Sequence, residues 1–223
     1  MDIGSFVMDA DGVRWAMDLG SHDYYQLESK GLDIWNRTQN SDRWKVFRYS
    51  NLSHNTLTVD KELQNAESHG TILKNSDKKE FRSTVLDISS AYRGKLNYAM
   101  RGIAIADSNW VIIRDEVMNA DTSRIVRWAM LTYDNIEIIS DHRAVINQGN
   151  KKLTFLVIEP RNVKIQTYST NPHYEFEEKN PGTLMVGFEV NLKAGEEKTL
   201  CVVLIPGDNI YTDKYNNKSL SDW

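Results

Sequence analysis

The sequence predicts an all-β protein: one large antiparallel β-sandwich of about fifteen strands, with little helix. Three observations carry this. Segments of β-branched and apolar residues recur at short, regular spacing along the chain. Glycine and proline, 12 and four in number, fall mostly between those segments, as in Asn180-Pro181-Gly182 and Ile205-Pro206-Gly207. No window holds apolar residues at three- and four-residue spacing over three turns behind a cap.

In chain order the first elements are residues 5–8 and 13–18. Asp9-Ala10-Asp11-Gly12 joins them, and Asp-Gly between apolar residues signals a tight hairpin. Residues 44–49 read as the next strand. Residues 56–60 follow, because Thr56-Leu57-Thr58-Val59 alternates β-branched and apolar side chains. Further strands are expected at 70–75, 81–87 and 99–106, the last turned by Asp107-Ser108-Asn109 into 110–117. Then come 124–132, 135–140, 143–148, 152–159, 163–168, 183–192 and 197–205. Ser89-Ser90-Ala91-Tyr92 is the best place for a single helical turn. Residues 27–42, aromatic and charged with weak periodicity, read as the main irregular loop. Residues 207–223, with Asn216-Asn217-Lys218-Ser219, are expected to be a loosely held tail. No internal repeat or low-complexity linker divides the chain, so residues 1–223 are expected to form a single domain.

Composition narrows the function. The 223 residues are 40% hydrophobic and 26% charged, ordinary for a globular protein with a buried core. A net charge of -4 gives no sign of the clustered Lys and Arg that a nucleic-acid surface needs. No apolar run reaches the roughly 20 residues of a membrane-spanning helix. Cys201, alone of its kind, excludes an internal disulfide, and in Leu200-Cys201-Val202-Val203-Leu204 it reads as a buried, inert thiol. Met1 leads directly into strand-like sequence, without a basic n-region and apolar h-region, so the chain reads as a piece of something longer.

The chemistry-bearing residues are few. Of five histidines, His142, His173 and His69 lie in polar turns and read as solvated. His22 stands in Gly20-Ser21-His22-Asp23-Tyr24-Tyr25, a stretch rich in hydrogen-bonding and stacking groups. His54 stands in Ser53-His54-Asn55 at the mouth of a strand, either a working residue or a polar cap. HExxH, paired CxxC, calcium-loop, GxSxG and phosphate-loop patterns do not occur. Six tryptophans and 10 tyrosines lean toward a carbohydrate-handling surface, since aromatic faces stack on sugar rings, although most aromatics serve a core.

Four stretches, in order, extend this. Gly4-Ser5-Phe6-Val7 with Asp11-Gly12-Val13-Arg14-Trp15-Ala16-Met17-Asp18-Leu19-Gly20 resembles the entry to the C-terminal β-domain of heparinase II/III-like polysaccharide lyases. Arg48-Tyr49 followed by Ser53-His54-Asn55-Thr56-Leu57 is similar to that family's H-N-T strand. Asp87-Ile88-Ser89-Ser90-Ala91-Tyr92, with Arg101 and Val111-Ile112-Ile113-Arg114-Asp115-Glu116, is the third match. Val126-Arg127-Trp128 with Thr132 is the fourth.

The resemblance implies the β-domain of a periplasmic or secreted lyase whose substrate, an anionic polysaccharide, lies between this domain and an N-terminal helical toroid. The glycosidic bond beside a uronic acid, heparin-like, heparan-sulfate-like or alginate-like, would be cleaved by β-elimination. His54 would be base or charge neutraliser, with Asn55 beside it, and Arg48, Trp44 and Tyr24 would bind substrate. Without the toroid, the piece alone would be inactive. The family also implies a structural zinc or calcium, for which Asp87 and, in place of its catalytic role, His54 are candidates. A further family ligand, a histidine shortly after the fourth motif's tryptophan, has no counterpart in Trp128-Ala129-Met130-Leu131-Thr132. The alternative is a non-catalytic carbohydrate-binding or structural β-sandwich.

Overall fold

The computed structural model describes residues 1–216 and 218–223. Among them are fourteen strands, beginning with β1 (Met8–Ala10), β2 (Val13–Ala16), β3 (Leu57–Val59), β4 (Thr71–Ser76) and β5 (Phe81–Asp87). The long central strands are β6 (Leu96–Ala106), β7 (Trp110–Asn119) and β8 (Arg124–Tyr133). β9 (Ile136–Ser140), β10 (Arg143–Gln148), β11 (Lys151–Glu159), β12 (Gln166–Ser169), β13 (Thr183–Leu192) and β14 (Glu197–Pro206) complete the set. They form a β1-β2 hairpin, an eight-stranded sheet in the order β4-β5-β6-β7-β14-β11-β10-β9, and a four-stranded sheet in the order β12-β13-β8-β3. All the pairings are antiparallel.

The β1-β2 hairpin turns where Asp-Gly requires it. Ala10 pairs with Val13, leaving Asp11 and Gly12 as a two-residue loop with φ of 54° and 75°, the left-handed backbone that a primed turn needs. The inner faces of the two larger sheets meet in one core. Trp128 of β8 lies at its centre, stacked on Phe188 of β13 at 6.1 Å and edge-on to Phe155 of β11 at 5.6 Å. Ile113, Val117 and Val202 from the large sheet and Met130 and Val186 from the small one surround it. This is the two-layer solution for sheets that each have one apolar face.

The large sheet buries part of its outer face as well. Ala104, Ile112, Val203 and Ile205 are covered by the C-terminal residues Tyr211, Tyr215 and Trp223. Phe81 packs against both Tyr215, at 4.8 Å, and Trp223, at 5.0 Å. A Cβ at Gly102 would come within 2.7 Å of the Trp223 ring, so only glycine lets the tail lie this close. The expected loose tail is therefore corrected over its described part: its aromatics hold it to the sheet. Asn217, in the middle of that tail, lies outside the described residues. Cys201 is buried in this second cluster, and desolvation pushes its thiol up to about 12.

Two further expectations are corrected. Residues 44–49 are not a strand but the end of one 3₁₀ turn, Asp42–Lys45, and a second, Phe47–Tyr49. Ser41 starts the first turn, its hydroxyl accepting from the Arg43 amide at 3.1 Å. The neighbours Val46 and Phe47 are both buried, which a strand with one solvent face does not allow. A six-residue helix, α1 (Tyr24–Ser29), overlaps the expected irregular loop, capped by Asp23 on the Gln26 amide at 3.1 Å. Being shorter than three turns, it shows no sustained helical period. The turn at Ser89–Tyr92 is present as a 3₁₀ helix.

Candidate active site

The residues before β3 make a compact turn, and its anchor is a buried ion pair. Arg101 of β6 binds Asp115 of β7 twice, Nε at 2.7 Å and Nη2 at 2.9 Å. Both residues are completely buried. Trp128 Nε1 donates to the same carboxylate at 3.0 Å. The remaining guanidinium nitrogen, Nη1, donates to the carbonyls of Gly4 at 2.6 Å and Asn55 at 2.8 Å. A buried pair offsets its desolvation only when its donors and acceptors are satisfied, as they are here. The pair thereby ties the His54-Asn55 turn to the large sheet.

Asn55 is turned inward. Its amide donates to the carbonyls of Phe6 at 2.6 Å and Met17 at 2.8 Å, and its Oδ1 accepts from the Leu131 amide at 2.6 Å. At 1% exposure, with both amide hydrogens and the oxygen engaged, it braces the turn and presents nothing to a ligand. The expected substrate contact at Asn55 thus falls on an inward-facing, fully engaged side chain.

His54 faces the other way. Its side chain is 11% exposed, and Nδ1 lies 3.1 Å from Asp18 Oδ2. The other Asp18 oxygen accepts from the Gly20 amide at 2.7 Å. The hydrogen bond from His54 chiefly, and that from Gly20, hold the Asp18 carboxyl below its ordinary value against the opposing effect of burial. His54 Nε2 has no hydrogen-bond partner among the described residues and is not among their buried unpaired atoms. That nitrogen therefore meets solvent.

Trp44 and Tyr24 pack on a separate small cluster built on Leu27, Ile34, Val46 and Tyr49. Tyr24 packs edge-on to Trp35 at 5.3 Å and to Tyr49 at 6.1 Å, and Trp44 Nε1 donates to the Thr38 carbonyl at 2.8 Å. Arg48 spans two loops: it donates to the Ser21 carbonyl at 3.1 Å, to Asn180 Oδ1 at 3.0 Å and to Glu178 Oε2 at 2.5 Å. The guanidinium is thus engaged within the chain and lies on a 3₁₀ turn, not a strand. Trp35 and Tyr25, 60% and 81% exposed, are the freer aromatic faces of this region and were not singled out by sequence.

Asp87 lies at the end of β5, and its side chain is held locally. Its Oδ1 accepts from the Ser89 amide at 2.8 Å, just ahead of the 3₁₀ turn Ser89–Tyr92. Among the described residues no group of three or more His, Cys, Asp or Glu could hold a metal ion. His54 and Asp18 supply two donors where zinc takes three or four protein ligands. These two donors alone do not fit a structural zinc, and the Asp87 carboxylate is engaged by the Ser89 amide.

Fold and site together define an antiparallel β-sandwich domain with a solvent-facing histidine just ahead of the edge strand of its smaller sheet. The chain belongs to the family described as heparinase II/III-like, C-terminal, whose model matches residues 1–204. Its fold is similar to that of part of the heparan sulfate lyase HepC from Pedobacter heparinus, at TM-score 0.68 and 14% identity over 95% of this chain and 31% of that one. A heparinase III matches at TM-score 0.71 and 15% identity, covering 98% of this chain and 31% of its own. A second heparinase III matches at TM-score 0.68 and 17% identity, covering 92% and 30%. The chain thus spans about a third of the length of these solved structures. No curated protein matches it in sequence.

Proposed function

We propose that this chain is the β-domain of a polysaccharide lyase that cleaves beside a uronic acid by β-elimination, with His54 on the wall of the substrate cleft. The observation that carries the reading is His54 itself: one ring nitrogen held by a carboxylate, the other open to solvent, in a chain of this family. In the reaction the C5–H bond breaks and its electron pair forms the C4=C5 double bond. The C4–O bond breaks in turn, and the leaving oxygen takes a proton. His54 Nε2 takes the C5 proton or, protonated, neutralises the sugar carboxylate as charge develops. A positioned proton acceptor is worth about 10²–10⁴-fold in rate, and a donor aimed at developing charge adds several kcal/mol.

The substrate class is a heparin- or heparan-sulfate-like chain, supported by what the similar solved structures are named for. An alginate-like chain is the second candidate. The partner is an upstream helical domain supplying the opposite wall, consistent with the third of the chain length that the match covers. Tyr24 and Trp44 give an aromatic rim on which sugar rings stack, with Arg48 beside it. A parent acting on such polymers works in the periplasm or outside the cell.

The test compares the full-length parent with its His54→Ala variant, following unsaturated-uronate absorbance on a panel of glycosaminoglycans and alginate. Loss of turnover with binding retained supports the lyase reading and identifies the substrate. Full activity of the variant overturns the role of His54. Glycan binding without cleavage by the wild-type parent favours a carbohydrate-binding domain, for which exposed Trp35 and Tyr25 would serve.

A further inference from the structure

We infer that Asp18 is the positioning residue for His54, fixing the imidazole with its hydrogen on Nδ1 so that the Nε2 lone pair faces the substrate. The catalytic consequence rests on the function proposed above; the pairing itself rests on geometry alone.

The two side chains come from segments 36 residues apart and are brought together by a double clamp. His54 Nδ1 reaches Asp18 Oδ2 at 3.1 Å, while the next residue, Asn55, donates to the carbonyl of Met17, the residue before Asp18, at 2.8 Å. Met17 is also held from the opposite side, its amide donating to the Leu131 carbonyl at 2.9 Å. Gly20 closes the far side of the carboxylate at 2.7 Å. The carboxylate thus has one oxygen occupied by backbone and the other aimed at the ring. Below the turn, Arg101 grips the Asn55 carbonyl. Both partners are fixed at the backbone, so the pairing is built into the fold and does not depend on a chance rotamer.

An ionised carboxylate can only accept, so the ring nitrogen facing it must carry the hydrogen. The hydrogen bond at one ring nitrogen sets the state of the other. With Nδ1 donating, neutral His54 has its basic lone pair on Nε2, the nitrogen that meets solvent. A histidine with no such partner would distribute between both tautomers and rotate, leaving fewer molecules ready to take a proton at the right atom. Outer partners of this kind alter activity by about 10–100-fold where they orient a ligating histidine, and the loss is larger where the tautomer is reversed.

Two measurements test this. In the 15N-labelled chain, long-range 1H–15N correlations of the His54 ring report directly which nitrogen carries the hydrogen. We expect the Nδ1–H form in the wild type and a shift toward Nε2–H in Asp18→Ala. In the full-length parent, Asp18→Ala should lower kcat about 10–100-fold with KM little changed, and Asp18→Glu should restore part of it. A wild-type ring with its hydrogen on Nε2 overturns the pairing without any variant being made. Should Asp18→Ala not fold, Asp18→Leu keeps much of the side-chain volume while removing the acceptor and is read in the same way. A changed tautomer with unchanged kcat overturns the catalytic consequence. Failure of the lyase reading is separate: it shows as full turnover by His54→Ala, whatever the ring nitrogens report.

Discussion

His22 and His54 both stand in polar loops flanked by serine, yet the fold uses them in opposite ways. His22 is 3% exposed and engaged at both nitrogens: Nδ1 with the Asp23 carbonyl at 3.1 Å and Nε2 accepting from the Glu178 amide at 2.8 Å. Its own backbone exchanges hydrogen bonds with the Tyr49 hydroxyl at 2.9 and 3.2 Å. It is a staple between two loops, beside the Arg48–Glu178 contact. His54 has one nitrogen on a carboxylate and the other open. The comparison teaches that a histidine's chemistry is read from its unspent nitrogen, since a ring with two backbone partners has nothing left to offer a substrate.

Several substitutions break or sharpen this contrast. The largest effect is expected beneath His54. Asp115→Ala leaves Arg101 as a buried, unpaired charge and Trp128 Nε1 without its partner, a loss of about 3–5 kcal/mol in folding stability, read from denaturant unfolding of this chain. His54→Ala comes next: turnover of the parent falls about 10²–10⁴-fold, while the unfolding midpoint of the chain moves little. His22→Ala should do the reverse. It orphans the Glu178 amide and opens a buried space, lowering stability by about 1–3 kcal/mol, with activity following only the folded fraction. Equal activity losses in the two histidine variants at equal stability would erase the contrast. Arg48→Ala is expected to cost about 1–2 kcal/mol by freeing Asn180 and Glu178. Trypsin cleavage of the loop around Lys179 checks it, and unchanged cleavage would show that Arg48 is not the clasp.

The smallest effect is pH-dependent. The Asp18 carboxyl is lowered in the folded state, chiefly by His54, so its stabilising contribution is fully present above the ordinary carboxylate value of 3.8. It is lost as pH falls through the lowered folded value. The stability difference between wild type and Asp18→Asn should therefore be present at neutral pH and close below about pH 4. Because Asp18 is 40% exposed, solvent screens the contact and the difference is small. A gap that persists well below pH 4, where the carboxylate is protonated, would contradict the pairing.

Much of the fold was legible because its signals are local. Alternation over 81–87, 143–148 and 183–192 coincides with β5, β10 and β13, residue for residue. Asp11-Gly12 marked its hairpin because left-handed backbone is a property of the turn residues themselves. Residues 44–49 misled because apolar and aromatic density resembles a strand, whereas Ser41 capping and burial of neighbouring side chains made turns of them. The position of His54 was legible through family motifs, but its partner was not. Asp18 stood in a quoted motif without a role, and Asn55, polar and adjacent, read as a ligand contact until its three bonds placed it inside.

By itself, then, the sequence determined the class, the run of strands, most of the turns and which histidine to watch, since each depends on neighbours a few residues away. Tertiary structure alone decided that β14 lies between β7 and β11, that the C-terminal aromatics cover the large sheet, and that His54 meets Asp18. Those outcomes follow from which apolar faces and buried charges satisfy one another across the chain. Pairings of that kind are selected by burial and hydrogen-bond satisfaction over distances along the chain that no local period encodes.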